Sequence, residues 1–409
     1  MKRDSALLGR AWAVFRAQGP RYVIEKIVLR IFPFIRARPS ALRYDDALAV
    51  DWRVPHPAIA EPRSVTLGSG LVVGWVMPPP GANSGGHQNI FRFIKVLEDA
   101  GHEVRVYLYS AIDPHTPAEV TALISRSSSY ESVNASIEYY PTDGIPSDVD
   151  ALFATTWDTA YRSYRDESRA RRFYFVQDYE PMFYATSSET QLAENTYRFG
   201  FTGITAGKWL AQKLSNDFGM SASSYDFGSD AGQYSYLNTD VRRSVFFYAR
   251  PETPRRGFEL GVMALDLFSR ARPDVGIITA GQDLRSFRLP FRFENLGNVQ
   301  VNKLNDVYNR CAAGLVLSLS NLSLLPLELL AAGVIPVVND APNNRLVSDN
   351  PFIEYTPPVP RALADRLISI VDRDDQAAHA AEAAASVQST DWSISARQFL
   401  DAFDGGMRG

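Results

Sequence analysis

Apolar residues along this chain fall into short continuous runs separated by amphipathic stretches, the pattern of buried parallel strands alternating with helices. Leu71 to Met77 is the first such run. It ends in Pro78-Pro-Pro-Gly-Ala-Asn-Ser-Gly-Gly86, after which His87 to Ala100 places Ile90, Phe93, Ile94 and Leu97 at helical spacing. Gly101-His102 closes that helix and Glu103 to Tyr109 resumes as a strand, giving a βαβ unit. Further strands are predicted at Ala151 to Ala154, Arg172 to Val176 and Gly203 to Ala206. Near Asp240 the pattern restarts. Ser244 to Ala249 reads as a strand, Arg250-Pro-Glu-Thr-Pro-Arg-Arg256 as a polar loop and Gly257 to Arg270 as a helix. Val275 to Thr279 and Asn298 to Val301 then read as strands, and Lys303 to Arg310 as a helix.

From Ala313 to Val338 the only charge is Glu328, long enough to resemble a membrane span. Ser318, Ser320, Asn321, Pro326 and Gly333 break that reading into a strand to Ser318, a loop, a helix over Leu327 to Ala332 with Pro326 at its start, and a strand from Val334. The Ala-rich stretch from about 359 to 405 is helical and placed to cross back and brace the first half. The organisation expected is an N-terminal arm over 1–50, α/β domains over 51–238 and 239–375, and C-terminal helices over 376–409.

Composition removes several function classes. In 409 residues the net charge is −4, so the molecule is no general nucleic-acid binder. One cysteine, Cys311, excludes a disulfide framework, and five histidines without HExxH spacing offer no transition-metal site. Charge is nevertheless uneven, because residues 1–43 hold ten Lys and Arg against Asp4 and Glu25. Apolar residues such as Leu7, Trp12, Phe15, Ile27, Ile31 and Phe32 interleave with these cations. Such a basic amphipathic arm either lies in an anionic membrane surface or packs on protein. Its apolar runs are too short for a signal peptide or a span, so the expected location is cytoplasmic, at the inner face of the plasma membrane if the arm binds lipid.

In an open parallel sheet, ligands sit beyond the carboxyl ends of strands. The loop carrying Gly85, Gly86 and His87 stands there; it either faces a ligand or simply turns sharply with positive φ. Arg250, Arg255 and Arg256 follow the first strand of the second domain, where guanidinium forks would meet phosphate. Glu328 is a lone carboxylate in an apolar stretch and needs hydrogen bonds, which a hydroxyl-rich ligand would supply. Gln177-Asp-Tyr-Glu-Pro181 follows another strand, so Asp178 or Glu180 would reach an interdomain cleft as a proton acceptor, with Tyr179 either stacking on a sugar or packing. Asp148-Val-Asp150 matches a metal-binding DxD pattern, but its place before a strand makes it a loop.

Phe246-Phe-Tyr-Ala-Arg-Pro251, together with Leu325-Pro-Leu-Glu-Leu-Leu-Ala-Ala-Gly-Val-Ile-Pro-Val-Val338, resembles the donor half of two-domain GT-B glycosyltransferases. With Gly85-Gly-His-x-x-Ile-Phe-Arg-Phe93 and Val176-Gln-Asp-Tyr-Glu-Pro181, the chain is similar to WsaF-type bacterial rhamnosyltransferases over roughly residues 70 to 355. The resemblance implies an α/β GT-B fold, two Rossmann-like domains facing a central cleft. It further implies transfer of a sugar, L-rhamnose from dTDP-L-rhamnose, to a lipid-linked or polysaccharide acceptor in cell-surface glycan synthesis, with no metal cofactor. By that resemblance Arg250 holds the diphosphate, with Arg255, Arg256, Lys303 and the helix start at Leu325 around it, and Glu328 takes ribose or sugar hydroxyls. Asp178 stands near the reacting centre, so Asp178 and Glu328 are the residues expected in catalysis. Two positions depart from the pattern: Ser320 stands where many retaining relatives carry a second Glu, and Leu324 where WsaF-like proteins carry Tyr. The alternatives are another donor, such as a UDP-hexose or UDP-galactofuranose, or a catalytically silent scaffold for a partner transferase.

Overall fold

Thirteen strands lie among the residues described by the structure, a computed structural model covering 42–408 except 55, 66–69, 82, 83, 112–114, 128 and 231. The basic arm lies outside the described residues up to position 41. Its last stretch forms a helix, Tyr44–Ala49, whose buried Asp46 accepts a hydrogen bond from Tyr109 and pairs with Arg165 at 3.1 Å, tying it to the first domain.

The first domain holds β1 (Val72–Met77), β2 (Glu103–Leu108), β3 (Ser136–Tyr139), β4 (Ala151–Ala154), β5 (Arg171–Val176), β6 (Thr202–Ala206) and β7 (Ala222–Tyr225). They form one parallel sheet in the order β3-β2-β1-β4-β5-β6-β7. Helices Gly85–Asp99, Trp157–Arg165 and Lys208–Phe218 connect them. The central strands are apolar on both faces because helices cover both, and Trp75, Phe153, Phe173 and Phe175 are fully buried.

The second domain holds β8 (Ser244–Tyr248), β9 (Gly276–Ala280), β10 (Glu294–Asn295), β11 (Ala313–Val316), β12 (Ile335–Asn339) and β13 (Glu354–Thr356), again all parallel, in the order β10-β9-β8-β11-β12-β13. Asn298 to Val301 is not a strand. Gln300 is extended but serves as the cap of a helix over Val301–Tyr308, and the edge strand is the two-residue β10. Helix Gln376–Ala385 stays with the second domain, where Ala383 and Val387 enter its core. The return therefore begins later than residue 376: only Trp392–Arg408 lies on the first sheet, burying Phe399, Phe403 and Met407.

Both sheets have a topological switch point, β1/β4 in the first and β8/β11 in the second, where consecutive connections leave in opposite directions. Crevices that bind ligands open at the carboxyl ends of such strand pairs.

Candidate functional site

The loops beyond β8 and β11 form the second-domain wall of the cleft. Arg250 follows β8 and is half-buried; among the described residues its side chain makes one hydrogen bond, a 3.4 Å donation to Gly281 O. Most of its fork therefore has no protein acceptor. The other two arginines are committed. Arg256 donates to Ser318 Oγ at 3.0 Å, while Arg255 lies 3.3 Å from Asp178 Oδ2 and stacks over Phe183 at 3.8 Å. Gly257 turns the loop into helix Phe258–Ala271 with φ of +58°, a conformation that a side chain would strain.

Beyond β11 the chain is held by buried amides. Asn339 Oδ1 accepts from Ser318 N at 2.8 Å, and the side-chain amides of Asn339, Asn343 and Asn344 all donate to Ser318 O. Ser318 Oγ in turn donates to Asn321 O at 2.6 Å. The protein's own side chains thus hold loop 318–321 in place, the condition for electrostatic preorganisation. Sequence reading passed over these asparagines; the unusual cluster Asn339-Asp-Ala-Pro-Asn-Asn344 beside a strand end was the available signal.

Glu328 stands on helix Leu325–Ala331, whose first residue Leu325 is buried. Its hydrogen-bond partners come from the protein: Tyr308 donates at 3.2 Å, and Tyr234 also bonds the carboxylate. Burial pushes its carboxyl up to about 7, with the Asp230 charge adding to the rise and the two phenols and Arg92 opposing it. Lys303 is exposed in the first turn of Val301–Tyr308, and no hydrogen bond or ion pair ties its side chain to Arg250 or Glu328.

Across the cleft, the expected turn at Gly85 and Gly86 is a helix start. Neither glycine has positive φ, Ser84 caps the helix, and a Cβ on Gly85 would meet nothing within 4 Å. His87 bonds Ser84 Oγ at 2.8 Å and Pro78 O at 3.0 Å, fixing the loop. Gln177 donates to Gly86 O at 3.0 Å and accepts from Asn89 at 3.2 Å.

Asp178 is not open to an incoming hydroxyl. Its Oδ1 accepts from Tyr179 N and Asn321 N, both at 2.9 Å, and its Oδ2 accepts from Ser320 Oγ at 3.1 Å and pairs with Arg255. Asn321 adds two donations to first-domain carbonyls, Gln177 O at 3.0 Å and Ala206 O at 2.9 Å. In this conformation the Asp178 carboxylate anchors the second domain to the first, and Ser320 is part of that anchor. Tyr179 and Glu180 also turn away from the cleft. Tyr179 is buried, donating to Glu194 at 3.0 Å and stacked beside Tyr197. Glu180 accepts from Trp157 N at 2.6 Å and Tyr174 at 2.8 Å, and burial pushes its carboxyl up to about 8.

Asp148 and Asp150 are structural: the first binds Arg105 at 2.8 Å and the second accepts from Val72 N at 3.0 Å. Among the described residues no three His, Cys, Asp or Glu side chains gather as a metal site, and no helix is long and apolar enough to cross a membrane.

Residues 145–206 match the WsaF N-terminal domain and residues 243–368 the WsaF C-terminal domain. The chain is 31% identical over 329 residues to the O-antigen biosynthesis protein RfbC of Myxococcus xanthus, a match that covers 78% of this chain and 26% of the relative, so the chain spans about a quarter of that protein. Among solved structures, HepE of Anabaena in complex with UDP and glucose superposes with a TM-score of 0.62 at 15% identity, covering 82% of this chain and all of that one. The O-GlcNAc transferase of Thermobaculum terrenum gives 0.57 at 15% identity, covering 99% of this chain and 81% of the other. Sucrose-phosphate synthase of Thermosynechococcus elongatus gives 0.60 at 12% identity, covering 82% and 98%. The chain carries both WsaF domains, N-terminal and C-terminal, on a GT-B fold.

Proposed function

We propose that the protein is a glycosyltransferase of cell-surface glycan assembly, moving a sugar from a nucleotide donor to a lipid-linked or polysaccharide acceptor. The observation that carries this reading is Arg250. It is a cation with donors left over, placed after β8 at the switch point of the second sheet, where β8 pairs with the β11 that leads into the amide-pinned loop 318–321. The name of the Myxococcus relative, an O-antigen biosynthesis protein, supports the same biological setting.

The donor is L-rhamnose on dTDP in the first instance, following the WsaF domains. A UDP-hexose is the second reading, favoured by the UDP and glucose bound in HepE. In the reaction the bond between the anomeric carbon and the diphosphate oxygen breaks as the acceptor oxygen bonds that carbon, and the acceptor's hydroxyl proton passes to the leaving diphosphate. Negative charge grows on the leaving diphosphate while positive charge grows on the ring. Arg250 meets the former with a bidentate fork, so no metal is needed for charge neutralisation. Glu328, with its carboxyl near neutrality, takes a sugar or ribose hydroxyl. The bare helix start at Gly85 and Gly86 admits the donor or acceptor closely from the other wall. Acceptors of this type lie at the cytoplasmic leaflet, where the basic arm over 1–43 would meet anionic lipid.

The test is saturation-transfer NMR of the full chain against dTDP-rhamnose, UDP-glucose, UDP-galactose, UDP-galactofuranose and GDP-mannose. Selective binding followed by product formation with that donor is the expected result. Folded protein that binds none of them would favour the scaffold reading.

A further inference from the structure

Both chain crossings between the domains run past one side chain. The first crossing, 226–243, joins β7 to β8, and the second leaves helix Gln376–Ala385 and returns at Trp392. They are knitted together. Ser229 donates through its N–H to Thr390 O at 2.6 Å and through Oγ to Val387 O at 3.1 Å. Gln398 accepts from Asp226 N at 2.7 Å and donates to Asp226 Oδ2 at 2.9 Å. A Cβ on Gly228 would stand 2.7 Å from Trp392 N, so the two backbones are as close as glycine allows.

Arg92, on helix Gly85–Asp99, grips both crossings. Its Nη2 pairs with Asp230 on the first at 2.9 Å, and its guanidinium lies over the Trp392 indole of the second at 3.7 Å. A third contact leads to the cleft: Nη1 donates to Asn89 Oδ1 at 3.1 Å, Asn89 donates to Gln177 at 3.2 Å, and Gln177 donates to Gly86 O at 3.0 Å. The backbone oxygen of Gln177 receives Asn321, so the same chain of hydrogen bonds reaches the Asp178 anchor. Burying a guanidinium is costly unless its partners are fixed, and here Asp230 and the Trp392 indole, one from each crossing, supply them.

We propose that Arg92 is a positioning residue that pins both interdomain crossings and thereby sets the cleft end of helix Gly85–Asp99 against Glu328. The assignment concerns the junction and goes beyond the donor reading. It also leaves a signed trace. Around Glu328 stand Tyr308 from helix Val301–Tyr308, Tyr234 and Asp230 from the first crossing, and Arg92 from the first domain. Asp230 drives the Glu328 carboxyl toward its protonated form and Arg92 drives it the other way. Loosened packing would not give the two halves of one ion pair opposite effects.

The experiment uses the full chain with Arg92→Met, Arg92→Lys and Asp230→Asn. Glu328 is titrated by 13C NMR of carboxyl-labelled glutamate, its signal assigned with Glu328→Gln. Interdomain distances are measured by electron spin resonance between labels on Ser125→Cys and Asp374→Cys, both at exposed positions, Cys311 being buried. Arg92→Met should raise the Glu328 midpoint and Asp230→Asn should lower it, each by roughly half a pH unit or more, as expected for a nearby charge. All three variants should broaden the distance distribution, with Arg92→Lys leaving the midpoint near its original value because the charge survives and only the fork and the stack are lost. Midpoints moving in one direction together, or an unchanged distance distribution, would overturn the proposal. Should Arg92→Met fail to fold, Arg92→Lys and Asp230→Asn carry the test. Neither readout needs a donor, so failure here is distinct from failure of the transferase reading.

Discussion

Asp178 follows the carboxyl end of β5 and Glu328 stands on the helix after β11, on opposite walls of the cleft, and their surroundings differ in kind. Asp178 is saturated: two backbone amides, a serine hydroxyl and a guanidinium fill its oxygens, and three of those four partners belong to the second domain. Glu328 is met by phenols and burial, which leave its carboxyl close to neutral at about 7. A carboxylate whose oxygens are already taken by N–H donors, a hydroxyl and a guanidinium is suited to holding structure. One surrounded by weak donors and apolar groups keeps proton and hydrogen-bond chemistry available. Under the proposed function, this difference gives anchoring to the 177–181 motif and ligand chemistry to the second-domain wall.

The strongest way to break that division is Arg250→Ala, which should weaken nucleotide-sugar binding by roughly 10- to 100-fold through loss of charge-assisted hydrogen bonds, measured by calorimetry. Next in size is Asp178→Ala. It strands Arg255 and the Asn321 amide at a partly buried joint and should lower stability by about 2 kcal/mol in urea unfolding. An unchanged midpoint would remove the anchor.

A pH comparison sharpens the picture further. Glu180, raised to about 8, and Glu328, raised to about 7, stay protonated in the folded chain while ionised in the unfolded one from about 4.5 upward. The folded state then binds more protons, so both groups make stability fall as pH rises across that window. Glu180→Gln should flatten the decline between pH 5 and 8, read from denaturation midpoints; an unaltered slope would show that Glu180 ionises normally. The smallest stability effect belongs to Gly85→Ala, which meets open space at a helix start and should change stability by no more than about 0.5 kcal/mol. Donor or acceptor binding should nonetheless weaken if a ligand approaches there.

Much of the fold was legible because buried parallel strands announce themselves. β1, β4, β8 and β12 are continuous apolar runs, and each was predicted within a residue or two. The edge strands β3, β7 and β13 escape a sequence reading because they are short: Ser136–Tyr139 alternates polar and apolar, but four residues are too few for that period to stand out from a loop. Val299 and Val301 suggested a strand, but Gln300 caps a helix there.

At the site, the placing of Arg250 after β8 and of Glu328 on the helix between β11 and β12 could be read from the motif spacing. The saturation of Asp178 could not, because its partners Ser320 and Asn321 lie more than 140 residues away in the chain. The inward turn of Tyr179 and Glu180 depends on Trp157, Tyr174 and Glu194, which only the folded sheet brings near. Long-range polar pairing of this kind leaves no periodic mark in a sequence.

The most direct measurement is calorimetric titration of the preferred nucleotide sugar into Arg250→Ala and Asp178→Asn side by side with the unaltered chain. The account predicts that binding is lost or severely weakened in Arg250→Ala and stays within a few-fold in Asp178→Asn, the size of effect expected when a contact to the ligand itself is spared. Equal loss in both, or loss in Asp178→Asn alone, would contradict the division of anchoring and donor binding between the two walls.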